Sequence, residues 1–255
     1  MIPFLMALAA AQATASAGDI ARFQSCTALV KSQPENGVAS ANDWLLKGGG
    51  LLARQCLGLG YTALGRWAPA ATAFEQAARE AETRKEPRAS DLWVQSGNAW
   101  LAAGDGAKAK AAFDAALITT ALTPELRGEV YLDRARASVQ LGDLAGARAD
   151  IDRSLELVPA DPFAWYLSSA LALREDNLAR AKEHSARAVA LAPDDANVLL
   201  HAGNVAGLGG DGDAARSFYT KAAAAAPGSA AAKAAEAALA ANAAPQPKAV
   251  ASPPK

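Results

Sequence analysis

Histidine and cysteine are scarce in this chain of 255 residues, with two of each. His184 and His201 have no further ligand types around them at zinc spacing, so no metal site is expected. Neither stands in the surroundings of a Ser–His–Asp triad, and each is expected as a partly exposed side chain on a helix. An excess of one charge is missing too. The 25 basic and 26 acidic residues leave a formal net charge of −1, which offers a polyanion no attracting field and argues against nucleic acid as a partner. No run of like charge forms a basic arm or an acidic tail. Gly48-Gly49-Gly50 and Gly209-Gly210 lack a following Lys-Ser/Thr and are expected as turns, not phosphate loops. The carboxylates show no paired arrangement of the kind a hydrolase needs. No catalytic residue, cofactor or metal is expected, and the chain is not expected to be an enzyme, since no unassigned segment is large enough for a catalytic domain.

Long apolar runs are absent beyond the first residues. Ile2 to Ala11 is apolar, broken by Pro3, and is shorter than the roughly 20 residues that span a bilayer. Ala15-Ser16-Ala17 then supplies a small-x-small cleavage pattern, although no Lys or Arg precedes the apolar stretch. Met1–Ala17 is therefore expected to be a secretory signal peptide, with no cysteine after the cleavage point to carry a lipid. The expected location is periplasmic or secreted, in a bacterium, without stable membrane insertion after cleavage.

What the chain has in quantity is small apolar residues. Hydrophobic residues make up 51% and aromatics only 6%, with alanine dominant, a composition suited to closely packed helices. A period is also visible. Pro159, Pro193 and Pro227 stand 34 residues apart, as do Ala147, Ala181 and Ala215. The same step links Ala135, Ser169 and Gly203, and also Ile151, Ser185 and Tyr219. Gly104-Asp105, Gly142-Asp143 and Gly210-Asp211 each pair a helix-ending glycine with a helix-capping aspartate, and Asp176-Asn177 stands in the same place.

A 34-residue period with small residues at positions 8, 20 and 27, bulky ones at 4, 11 and 24 and proline at 32 resembles the tetratricopeptide repeat (TPR) family. The resemblance implies an all-α fold, an α-solenoid of helix–turn–helix repeats forming a right-handed superhelix. Five repeats are expected, at 51–84, 90–123, 128–161, 162–195 and 196–229. Residues 18–50 would form a helical cap or a degenerate repeat, with helices over 19–32 and 38–47 joined at Pro34-Glu35. Residues 230–242 would form a C-terminal cap helix and 243–255, with four prolines, a disordered tail. Trp93, Trp100 and Trp165 fall at packing positions, while Trp67 begins a second helix and is expected to be partly exposed.

In this family the first helices of the repeats line a groove that holds peptides. Carried over by position, the resemblance assigns that groove to Gln55, Val94, Asn98, Leu132, Arg136, Tyr166, Leu200 and Asn204. Leu59, Thr62 and Leu101 are among the residues at neighbouring groove positions. Asparagine offers donor and acceptor to an extended backbone, and Arg136 can pair with a carboxylate. The lysines of the chaperone-binding TPR clamp are missing here. Cys26 and Cys56 are expected either as a disulfide or as two buried thiols. The function implied is a non-catalytic scaffold or adaptor of the bacterial cell envelope that binds a peptide segment of a partner protein. The alternative is a structural, self-associating helical module without a peptide ligand.

Overall fold

The computed structural model describes residues 16–119 and 122–243. The signal peptide expected at 1–17 falls outside them except for Ser16 and Ala17, and the expected tail falls outside them from residue 244. Among the described residues there are thirteen α-helices and no strand. They are α1 (Ala17–Ser32), α2 (Pro34–Leu46), α3 (Gly50–Ala63), α4 (Trp67–Thr83), α5 (Ala89–Ala102), α6 (Gly106–Ile118), α7 (Pro124–Gln140), α8 (Leu144–Leu157), α9 (Pro162–Arg174), α10 (Leu178–Leu191), α11 (Ala196–Leu208), α12 (Gly212–Ala225) and α13 (Ala230–Ala243). No described helix is long and apolar enough to cross a membrane. The chain divides into two compact units, one ending at Asp150 and one beginning at Ile151, within α8.

Local chemistry sets the helix ends. Gly104, Gly142 and Gly210 take φ of 80°, 76° and 81°, left-handed values that end one helix and that a glycine adopts without steric cost. Asp176 does the same at φ 54°. The next side chain then caps the following helix. Asp105, Asp143, Asn177 and Asp211 accept from the backbone N–H groups of Lys108, Gly146, Arg180 and Ala214 at 2.8–3.1 Å.

Two starts lie earlier than the sequence pattern suggests. The second helix of the N-terminal pair begins at Pro34 rather than at Val38, because proline fits the first helical turn, where no N–H partner is needed. α7 likewise begins at Pro124, one turn before the expected repeat boundary at Gly128, with the Thr123 hydroxyl capping Leu126 N–H at 3.3 Å.

In the first unit, sequence-adjacent helices pack on one another and α1 also meets α3. Its core contains Phe74, Leu92, Trp93, Trp100, Phe113 and Val130. A Cβ built on Gly58 would come within 2.6 Å of the Phe74 ring, and one on Gly97 within 2.5 Å of the Phe113 ring. The absent side chain of the first helix is thus the seat of the aromatic ring of the second. Arg134 ties α6 and α8 to α7. It donates to Asp150 from Nε at 2.9 Å and Nη2 at 2.5 Å, and to Asp114 from Nη1 at 2.7 Å. The paired Asp150, with Asp114 behind it, holds the guanidinium charged despite its burial.

The disulfide-bonded pair is Cys26 of α1 and Cys56 of α3, with Cα atoms 6.3 Å apart. This distance lies inside the range a disulfide spans, because Cα atoms stand about 2.3 Å off the helix axis, so facing Cα atoms on helices packed about 8–10 Å apart come within about 6 Å of each other.

In the second unit the same seat recurs where Gly203 faces the Tyr219 ring. It is modified in the α9–α10 pair, where the corresponding residues are Ser169 and Ser185, both buried. Ser169 Oγ donates to the Ala181 carbonyl at 2.7 Å and meets His201 Nε2 at 2.8 Å.

Candidate functional site

On the first-helix side of the first unit, α3, α4 and α5 line an open cavity of about 220 Å3. Leu59 and Thr62 come from α3, Trp67 and Phe74 from α4, and Gln95, Asn98 and Ala99 from α5. Apolar surface dominates this lining, and the Gln95 and Asn98 amides supply donors and acceptors beside it. Asn98 is exposed, and Trp67 keeps 38% of its surface in solvent. Tryptophan is among the side chains enriched at the anchoring positions of protein interfaces.

Of the residues assigned to the groove by position, Asn98 lines this cavity, and the neighbouring positions Leu59 and Thr62 line it too. Gln55 and Val94 are half-buried on the same two first helices. Leu132 is different: it is 2% exposed, so its side chain is packed and has no surface for a ligand. Arg136 is exposed, with Nη1 held 2.9 Å from Asp133 Oδ1 on its own helix, so a ligand carboxylate would compete with that pairing. Trp67 and Gln95 were not assigned to the groove by position. Trp67 could have been found as a tryptophan at the start of a second helix in a chain poor in aromatics, whereas nothing in the sequence marks Gln95.

In the second unit, Tyr166 and Leu200 are half-buried and Asn204 is exposed. Tyr166 stacks on Phe163 with ring centroids 5.8 Å apart and meets the His201 ring edge-on at 5.0 Å. Asn204 Oδ1 accepts from the Tyr219 hydroxyl at 2.9 Å, which leaves this side chain its N–H groups and one Oδ1 lone pair for a ligand.

The histidines correct an expectation. His201 is not partly exposed but 9% exposed, and burial lowers its pKa to about 4, which keeps the ring neutral. His184 is half-buried, with Nδ1 2.7 Å from Ser168 Oγ. Neither pair is arranged for nucleophilic attack. Ser168 and Ser169 are fully buried, and the Ser169 hydroxyl proton is given to the Ala181 carbonyl rather than to His201. Trp93 and Trp100 are buried as expected of packing residues, while Trp165 is half-buried and donates to the Pro159 carbonyl at 2.9 Å. Among the described residues no group of three or more His, Cys, Asp or Glu side chains could hold a metal ion.

No family model matches the chain, and no curated protein matches it. Solved structures do. PilW, a type IV pilus biogenesis factor, superposes with a TM-score of 0.69 at 21% identity, over 86% of this chain and 98% of that one. PilF of Pseudomonas aeruginosa superposes at 0.65 with 18% identity, over 86% and 97% of the two chains. YrrB, described as a TPR protein with an unusual peptide-binding site, superposes at 0.52 with 17% identity, over 77% and 96%. The fold is therefore a TPR α-solenoid, all-helical with consecutive helices packed on one another.

Proposed function

We propose that this protein is a non-catalytic scaffold that holds a peptide segment of a partner protein against the first helices of its repeats. The observation that carries the reading is the cavity between α3 and α5, with Trp67 exposed at its edge and the Gln95 and Asn98 amides beside an apolar lining. Trp67 and Leu59 would take an apolar side chain of the peptide, and the amides would hold its backbone. In this reading α3 to α12 form five repeats, α1 and α2 an N-terminal cap stapled by the disulfide, and α13 a C-terminal cap. A location in the bacterial cell envelope is supported by the apolar N-terminal sequence and by a disulfide, a bond that persists in oxidising compartments. The likeness to PilW, a type IV pilus biogenesis factor, supports a role in assembly.

A photo-crosslinking amino acid placed at Asn98, in cells of the source organism, tests this. One discrete adduct with an envelope polypeptide is expected, absent when Trp67→Ala is added and absent when the crosslinker is moved to exposed Lys221. No discrete adduct would reject the peptide groove. Adducts with the protein itself alone would favour a self-associating module.

A further inference from the structure

In the second unit, α10, α11 and α12 line an open cavity of about 190 Å3 whose walls are mostly apolar. It exists because two bulky side chains are missing. In the first unit Phe74 of α4 and Trp100 of α5 fill the equivalent positions of the repeat, whereas here α10 carries Ser185 and α11 carries Ala206. Ser185 and Ala206 both line the cavity. Apolar atoms that face unfilled space forfeit packing contacts, so an apolar group seated here regains them.

The cavity has a charged end and an apolar end. Lys182 and Val189 line it from α10, seven residues apart and so about 10 Å along the helix axis. Asp211, whose Oδ1 accepts from Ala214 N–H at the start of α12, and Phe218 line it with the same spacing. α10 and α12 each pack on α11 and are joined to it by short turns, so they run in the same direction. Lys182 and Asp211 therefore share one end, and Val189 and Phe218 the other. The position of the Lys182 ammonium agrees: a Cβ built on Gly209, in the α11–α12 turn, would come within 2.4 Å of its Nζ. Lys182 and Asp211 carry opposite charges, and neither forms an ion pair with the other or with another described residue.

We infer that this cavity is a binding site for a free α-amino acid with a large apolar side chain, such as phenylalanine or leucine. The carboxylate of the ligand pairs with Lys182 and its ammonium with Asp211, as charge-assisted hydrogen bonds. Its side chain enters the apolar end, among Val189, Val205 and Phe218. An apolar cavity of about 150 Å3 holds benzene, so the volume suits one ring or branched aliphatic group. A ligand with one charge leaves the other rim group unmatched, and a polar side chain gives up its hydrogen bonds to water at the apolar end. An internal residue of a peptide offers neither charge, because both of its backbone ends are amides. The site uses different residues from the first-helix cavity and does not depend on peptide binding there.

The test follows the backbone amide resonances of the 15N-labelled full chain during titration with L-phenylalanine to about 10 mM, a range that registers millimolar affinity. L-serine, which keeps both charges without the apolar group, is one control. N-acetyl-L-phenylalanine amide, which keeps the ring without the charges, is the other. The Gly209, Gly210 and Phe218 resonances are expected to move saturably with L-phenylalanine, and each control to bind at least about tenfold more weakly. Lys182→Met removes an exposed cation and should weaken binding about tenfold, the worth of one charge-assisted hydrogen bond. Ala206→Leu refills the cavity from a half-buried position and should weaken binding about tenfold as well. No saturable movement, equal binding of either control, or an affinity unchanged by either variant would overturn the inference. Movement confined to resonances of α3, α4 and α5 would place the amino acid in the first-helix cavity and also overturn it.

Discussion

The Phe113 ring occupies the space a side chain at Gly97 would need: a Cβ there would sit 2.5 Å from Phe113 Cε1. Gly97→Ala should therefore destabilise the protein by about 1–3 kcal/mol through overpacking, even though alanine favours a helix by about 1 kcal/mol over glycine. Gly207 on α11 gives the contrast, since its nearest neighbours would lie 3.8 Å from a new Cβ. Gly207→Ala should stabilise by about 0.5–1 kcal/mol. Urea unfolding of both variants, followed by circular dichroism, checks the opposite signs.

Asp150 is 6% exposed and takes two hydrogen bonds from Arg134. Arg134→Met leaves that carboxylate buried without its partner and should cost about 2–4 kcal/mol, somewhat below a fully buried pair because the arginine keeps some solvent contact. Adding Asp150→Leu should recover most of the loss. Unfolding free energies of the two variants decide it, and equal losses in both would reject the charge argument.

His201 has its pKa lowered by burial from 6.5 to about 4. Across that window the unfolded chain binds more protons at this site than the folded one, so the stabilising effect of a neutral ring is lost as pH falls. The expected loss between pH 7 and pH 4 is on the order of 3 kcal/mol. Carboxylates titrate in the lower part of the same range, so the quantity to measure is the difference from His201→Gln, which should lack this share of the slope.

The disulfide joins residues 30 apart in sequence. Replacing both cysteines by serine should lower stability by about 3–4 kcal/mol in the chain-entropy account. α1 and α2 should lose amide-exchange protection first, because the bond ties α1 to α3. Reduction of the wild type should reproduce the loss.

Much of the fold could be read from local pattern. The Gly-Asp pairs act within one turn, so their role is visible without knowing what packs against what. The alternation of small and bulky positions was legible in the repeat, whereas the seating of the Phe113 ring on Gly97 and of the Phe74 ring on Gly58 is a fact of helix packing. The starts at Pro34 and Pro124 were less legible, because the hydrophobic pattern marks where a helix becomes buried, not where its backbone begins to turn. The site was legible only in outline. Position within the repeat pointed to Asn98, Leu59 and Thr62, which line the first-helix cavity, but it also pointed to Leu132, which is packed away.

The sequence by itself determined the helix–turn–helix pattern, because capping, turn conformation and small–large alternation are properties of near neighbours along the chain. Tertiary structure alone decided which functional groups are already committed. Asn204 is spent in part on Tyr219, His201 is drawn into the space beside Ser169, and Trp100 keeps a buried N–H while Trp93 finds Glu82. Each of these depends on atoms brought close by packing between helices, and the hydrogen-bond partner of a buried group is a three-dimensional fact that spacing along the chain does not encode.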